Sequence, residues 1–264
     1  MTKKLVGKVV LITGASSGLG EQLAYSAARQ GATLILCARR EEQLLEITKK
    51  CQELSGHEAV YYLIDIAEYE TTELVLERII RRFKKIDVLI NNAGFGLFRE
   101  FIQFDFDVAD KMFKVNVLGL MAITQKIAQL MIDQKQGHII NIGSQGGKMA
   151  SPKSSVYSAT KFAVIGFSDA LRLELKPHGV MVTTVNPGPI TTEFFETADE
   201  TGNYLASIGR LAIDPAKLSE KIIRVIGKSK REINTPKIMS FASIMSSLFP
   251  NLSDILTVSL FNKK

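Results

Sequence analysis

Tyr157 and Lys161 stand four residues apart, Ser144 lies thirteen residues before the tyrosine, and the first apolar run leads directly into Thr13-Gly14-Ala15-Ser16-Ser17-Gly18-Leu19-Gly20. An i, i+4 spacing puts a phenol and an ammonium on one helix face, where the cation favours phenolate and eases proton transfer. An ordinary phenol, with a pKa near 10, is a poor base near pH 7, and each unit of lowering corresponds to about 1.4 kcal/mol. The glycine turn offers a second kind of chemistry. Gly14, Gly18 and Gly20 remove side chains where the backbone must turn sharply and approach a phosphate, and Ser16, Ser17 and Leu19 fill the loop between them. The helix that follows presents free amide groups and a positive dipole end. A plain strand-to-helix turn also uses glycines; the position between strand and helix is what favours a nucleotide.

The elements that must carry these residues are legible in the apolar pattern. Short runs rich in Val, Ile and Leu recur at Val9 to Thr13, Thr33 to Ala38, Val60 to Asp65, Val88 to Asn91, His138 to Ile142 and Val180 to Val185, separated by helix-length segments. Strands apolar on both faces imply a parallel sheet covered on each side by helices, a doubly wound α/β or Rossmann fold in three α/β/α layers. The first helix is expected over Leu19 to Arg29, ended by Gly31. With 264 residues, 46% of them hydrophobic, and no repeat or linker, residues 1–264 read as one domain. Within it, Pro189 to Asp214 is irregular and longer than most loops in compact domains, so 189–214 reads as a substrate lid. Phe194, Phe195, Tyr204, Leu205 and Ile208 in that lid, with Phe95 and Phe98, favour an apolar or amphipathic substrate, although the same aromatics would serve equally as core.

The second strand ends at Cys37-Ala38-Arg39-Arg40, where an NAD-binding fold commonly puts an acid on the ribose hydroxyls. The acid is missing. A guanidinium there pairs with a 2′-phosphate, so the sequence favours NADP, with NADPH preferred over NADH. Arg39 is the first choice for that contact and Arg40 the second, against an ordinary surface pair. Asp65, followed by Ile66, either accepts from the adenine amino group or caps its strand.

Composition excludes other classes. Met1 to Lys4 leads into the first strand without a signal-peptide pattern, which gives the expectation of a cytoplasmic protein. Cys37 and Cys51 are too few for a disulfide framework, and His57, His138 and His178 lack metal-ligand spacing, so no metal is expected. The charge of +6 and pI near 9.2 permit a polyanionic partner. The densest basic stretch, Arg78 to Lys85, reads instead as the solvated face of an amphipathic helix, and no nucleic-acid motif accompanies it. Gly143-Ser144-Gln145-Gly146 does not fit the nucleophile turn of serine hydrolases. After Glu232 the chain turns apolar through Ile238, Met239, Phe241, Ile244, Met245, Leu248 and Phe249, breaks at Pro250 and ends in Lys263-Lys264. Neither piece reaches the roughly twenty apolar residues of a membrane span. This C-terminal extension, 237–264, is expected to pack on the body or a partner subunit, to close one side of the pocket, to make peripheral membrane contact, or to be disordered.

In order along the chain, Thr13 to Gly20, Asn91-Asn92-Ala93-Gly94, Asn116 within Val115-Asn116-Val117, Ser144, Tyr157 with Lys161, and Pro187-Gly188 followed by Ile190 and Thr192 resemble the short-chain dehydrogenase/reductase family from Lys8 to about Thr235. The resemblance implies that Tyr157 gives its proton to a substrate oxygen, that Ser144 polarises the same oxygen, and that Lys161 also binds the nicotinamide ribose. It implies that Asn116 steadies a water leading to the lysine, with a structural helix kink as the alternative. Asn91, Asn92, Ala93 and Gly94 would lie against the adenine ribose. Pro187, Gly188, Ile190 and Thr192 would meet the nicotinamide end, and Thr13 would stabilise the glycine turn. The implied activity is hydride transfer between NADP and a small-molecule carbonyl or alcohol, in a homo-oligomer, dimer or tetramer. Many family members end in a seventh strand and a glycine-rich segment; here Arg231 to Pro236 supplies a short last strand, but the apolar ending differs. The competing class is a nucleotide-responsive binding or regulatory protein with little turnover.

Overall fold

The computed structural model describes residues 3–198, 212–251 and 253–255. Seven strands form one fully parallel sheet in the order β3-β2-β1-β4-β5-β6-β7. They are β1 Val9–Thr13, β2 Thr33–Ala38, β3 Ala59–Leu63, β4 Val88–Asn91, β5 Gly137–Ile142, β6 Val180–Pro187 and β7 Glu232–Thr235. Their continuous apolar runs follow from burial on both faces. On one side, α1 (Gly18–Arg29), α2 (Glu41–Ser55) and α8 (Pro215–Ile223) pack around Val10, Ile12, Leu34 and Leu36. On the other, α3 (Tyr69–Phe83), α5 (Leu120–Asp133) and α6 (Ser155–Leu175) cover Leu11, Ile35, Leu89 and Ile139. The helical stretch Phe106–Asp133 is long and apolar enough to cross a membrane, but half of its apolar window is buried in this layer. Its Ile123, Ile127 and Met131 are core residues.

The expected three-layer architecture is the observed one, with small differences at element ends. β3 begins at Ala59 and stops at Leu63, so Asp65 lies in the loop beyond it, whereas β6 runs past Val185 to Pro187 because it is paired along that stretch with β7. Gly31 follows α1 with φ +82°, and its N–H donates to Ala28 O. α4 (Phe106–Phe113) continues through a π-helical stretch, Lys114–Gly119, directly into α5. Within the region 189–214 the described residues include α7 (Phe194–Ala198), and Ile190 bridges Ile213. Its central part, with Tyr204, Leu205 and Ile208, lies outside the described residues, as do residues 256–264 with Lys263 and Lys264. After β7 comes α9 (Lys237–Leu248).

Candidate active site

A cleft of about 670 Å³ opens along the carboxyl ends of β1, β2, β4, β5 and β6. At a crossover in strand order the loops on either side diverge, and ligands of open α/β sheets bind there. Ser16, Ser17, Leu19, Arg39, Arg40, Asp65, Ile66, Asn92, Ala93, Gly94, Ser144, Tyr157, Lys161, Pro187, Gly188, Ile190 and Thr192 all line it, with Gly14. Gly18, Gly20 and Asn116 do not; they support its wall.

The glycine turn is built for close approach. Gly14 has φ +63°, and a Cβ there would stand 2.7 Å from the Ala93 Cα; a Cβ on Gly20 would collide with the Gly14 carbonyl. Thr13 ties the turn to the end of β4, its Oγ1 accepting from the N–H groups of Asn92 and Ala93 at 3.0 and 3.1 Å. Asn92 Nδ2 donates to the carbonyls of Thr13 and Gly14. Ser17 caps α1 without a side-chain bond to the helix, which leaves the first-turn amide groups for an anion. Gly18 sits under Thr192, which would lie 3.2 Å from a Cβ there.

Arg39 and Arg40 stand beside this turn. Arg39 Nη1 is 3.6 Å from Asp65 Oδ2, while Asp65 Oδ1 accepts from the Ala67 N–H, so one carboxylate fastens its loop and faces a guanidinium. Arg40 Nε donates to Ser16 Oγ at 3.2 Å, and its Nη1 lies 3.7 Å from Glu193 Oε2. Positive φ at the turn, an uncapped helix start and two guanidiniums within reach of it together fit the pyrophosphate and ribose portion of a dinucleotide.

The other end holds the proton-transfer groups. α6 places Tyr157 and Lys161 on one face, with the Lys161 Nζ 5.8 Å from the centroid of the phenol ring. Lys161 is buried and donates to the Ile142 carbonyl at 3.0 Å. Burial pushes its ammonium down from 10.5 to about 8, because removal from water disfavours the charged form. Ser144 follows β5; its Oγ accepts from the Gly146 N–H at 3.0 Å, which leaves the hydroxyl hydrogen to donate elsewhere. Asn116, in the π-helical stretch, is committed to the fold: Oδ1 accepts from the Phe95 N–H at 2.9 Å, and Nδ2 donates to Phe95 O and Thr160 Oγ1. It thereby joins the loop after β4 to the residue preceding Lys161.

Tyr157 also meets an aromatic cluster, with ring centroids 5.6 Å from Phe98 and 5.8 Å from Phe194, and Phe195 packs on both phenylalanines. Lining residues without a local sequence signal include Val108, Lys111, Gln145, Ser154, Glu193 and Met239. Val108, Lys111 and Val115 share a helix face, a spacing that any amphipathic helix would show. Gln145 Nε2 donates to the Asn186 carbonyl at 2.8 Å and holds the Ser144 turn against β6. Among the described residues, no group of three or more His, Cys, Asp or Glu is placed to hold a metal ion.

Comparison with known proteins agrees with this geometry. The family model described as short chain dehydrogenase matches residues 8–203. "Dehydrogenase/reductase SDR family protein 7-like" of Drosophila melanogaster is 34% identical over 259 residues, covering 94% of this chain and 79% of its own. "11-beta-hydroxysteroid dehydrogenase-like 3" of Arabidopsis thaliana is 34% identical over 250 residues with the same two coverages, 94% and 79%. Among solved structures, a short-chain dehydrogenase from Sphingobium yanoikuyae in complex with NADPH superposes with a TM-score of 0.81 at 26% identity, over 94% of this chain and 96% of that one. The chain therefore belongs to the short-chain dehydrogenase/reductase family and is an NAD(P)-dependent oxidoreductase acting on a small-molecule CH–OH group.

Proposed function

We propose that this enzyme is an NADP-dependent reductase of an apolar or amphipathic ketone or aldehyde, able to run in reverse as an alcohol dehydrogenase. The observation that carries the reading is the meeting of Ser144, Tyr157 and Lys161 in a cleft whose far end holds the glycine turn and Arg39. Bound nicotinamide would supply hydride to the substrate carbon in reduction and accept it in oxidation. Tyr157 gives its phenolic proton to the substrate oxygen, and Ser144 Oγ–H bonds the same oxygen, stabilising the charge that develops there. In oxidation the phenolate takes the proton, and the adjacent Lys161 charge favours that anion. Lys161 also binds ribose hydroxyls, for which its position at the Ile142 carbonyl suits it. The side chain of Asn116 keeps the helix and the Phe95 loop in register behind the lysine.

The preference for NADPH over NADH rests on Ala38, Arg39 and Arg40, where an NAD enzyme commonly carries an acid. Asp65 and Ile66 border the adenine, Asn92 to Gly94 its ribose, and Pro187, Gly188, Ile190 and Thr192 the nicotinamide. Phe98 and Phe194 against Tyr157, with Phe195 and Met239 lining the same cleft, support an apolar substrate, as does the steroid dehydrogenase name of the Arabidopsis relative. Leu118, Phe162 and Leu173, exposed on the outer helices, support a homo-oligomer. Buried, unpaired Cys37 and Cys51 suit a reducing, cytoplasmic setting. The test is consumption of NADPH and of NADH with a panel of steroidal, aliphatic and aromatic carbonyls. Turnover with NADPH on bulky apolar carbonyls is expected; tight NADPH binding with no turnover on any class would instead establish a nucleotide-responsive binding protein.

A further inference from the structure

Helix α9 is amphipathic in the wrong sense for water. Its one buried residue is Ser243, whose hydroxyl donates to the Ser240 carbonyl at 2.9 Å. Met239 also turns inward, where it lines the cleft and meets Gly188. Ile238, Phe241, Ile244 and Leu248 point the other way, each more than half exposed, and Phe249 and Ile255 continue the row. A surface helix in water keeps its large apolar residues inward, and a contiguous exposed row marks a surface that something covers.

Size and charge decide what covers it. The helix has 12 residues, roughly 18 Å of length at 1.5 Å per residue. A strip about 18 Å long and about 10 Å wide falls well short of the roughly 800 Å² per partner that a stable interface needs. A span is excluded by the same length. The chain has no acidic side chain between Glu232 and Asp254, and from Lys237 onward it carries three lysines, Lys237, Lys263 and Lys264, against Asp254 alone. An apolar face with no acidic residue along it and Lys237 at its start matches an anionic lipid surface, where the apolar row enters the acyl boundary and the lysine meets headgroups.

We propose that α9 lies in the surface of an anionic bilayer. Because its inner face is a wall of the cleft, this contact sets the pocket beside the lipid, and an apolar substrate enters from the membrane without crossing water. The entry route rests on the apolar substrate proposed above, whereas lipid binding itself requires no turnover.

The chain contains no tryptophan, so Phe241→Trp places a single reporter on the row. The full chain, loaded with NADPH, is mixed with phosphatidylcholine vesicles containing about 30 mol % phosphatidylserine. A blue shift, quenching by brominated lipid and flotation with the vesicles are expected, with roughly tenfold weaker binding to pure phosphatidylcholine. A Tyr69→Trp control on α3 should show no shift. The triple variant Phe241→Ser, Ile244→Ser, Leu248→Ser should lose about a hundredfold in partition while keeping NADPH affinity. Unchanged emission with no flotation would overturn the proposal. So would emission that is already blue-shifted and concentration-dependent without lipid, which would assign the face to a second copy.

Discussion

Replacing Lys161 with methionine should stabilise the nucleotide-free protein while abolishing its activity. The fold buries this amine and pushes it down from 10.5 to about 8. At about 1.4 kcal/mol per pH unit, keeping it charged near neutral pH costs roughly 3 kcal/mol relative to the unfolded chain. Its hydrogen bond to the Ile142 carbonyl offsets about 1 kcal/mol of that. Methionine has nearly the same reach and no charge to desolvate, so the variant should be about 2 kcal/mol more stable near pH 7. The sign of the pH dependence follows from where each state releases its proton. Between about 8 and 10.5 the unfolded chain holds the proton and the folded chain does not, so wild-type stability rises with pH through that window. The advantage of the variant should shrink to about zero near pH 10. Urea denaturation of both proteins without nucleotide, at several pH values across this range, measures it. A variant less stable than wild type at neutral pH, or a gap that does not change with pH, would refute the desolvation argument.

Arg39→Asp should weaken NADPH on the order of thirtyfold and leave NADH within about threefold, because a charge-assisted phosphate contact becomes a repulsion; fluorescence titration with both nucleotides reads this, and equal losses would send the phosphate elsewhere. Gly14→Ala imposes a side chain at φ +63° and within 2.7 Å of the Ala93 Cα; a loss of about 2–3 kcal/mol of stability is expected, and denaturation indistinguishable from wild type would mean that the turn adapts. With Lys161 titrating near 8, kcat/KM for carbonyl reduction should fall above about pH 8 as the protonated pair is depleted; a profile flat to about pH 10 would exclude the lysine from the proton path.

How far the sequence reached depended on whether a signal was local. Strands buried on both faces leave uninterrupted Val, Ile and Leu runs, so six strands and the short β7 were readable to within a few residues. The termini drifted where pairing decides: β6 extends to Pro187 because β7 continues beside it. The glycine turn, Arg39 and the Tyr157–Lys161 pair were readable because their spacing is itself the chemistry. Lys111, Gln145 and Glu193 reach the cleft only through the packing of α4, the Ser144 turn and the segment before α7, and nothing near them in sequence marks that. The side chain of Asn116 illustrates the same limit: the motif finds the residue, but only the structure reveals its bonds to Phe95 and Thr160. The reversed polarity of α9 was hidden as well, since an apolar run does not say which of its faces meets the body.

The central claim is that the Tyr157 phenol supplies the proton. Tyr157→Phe removes one oxygen and keeps the ring against Phe98 and Phe194, so NADPH affinity and stability should stay near wild type while kcat for carbonyl reduction falls by about 10³-fold or more. Single-turnover NADPH oxidation by the two proteins on the same carbonyl is the direct measurement. A Tyr157→Phe enzyme that turns over at the wild-type rate would contradict the account.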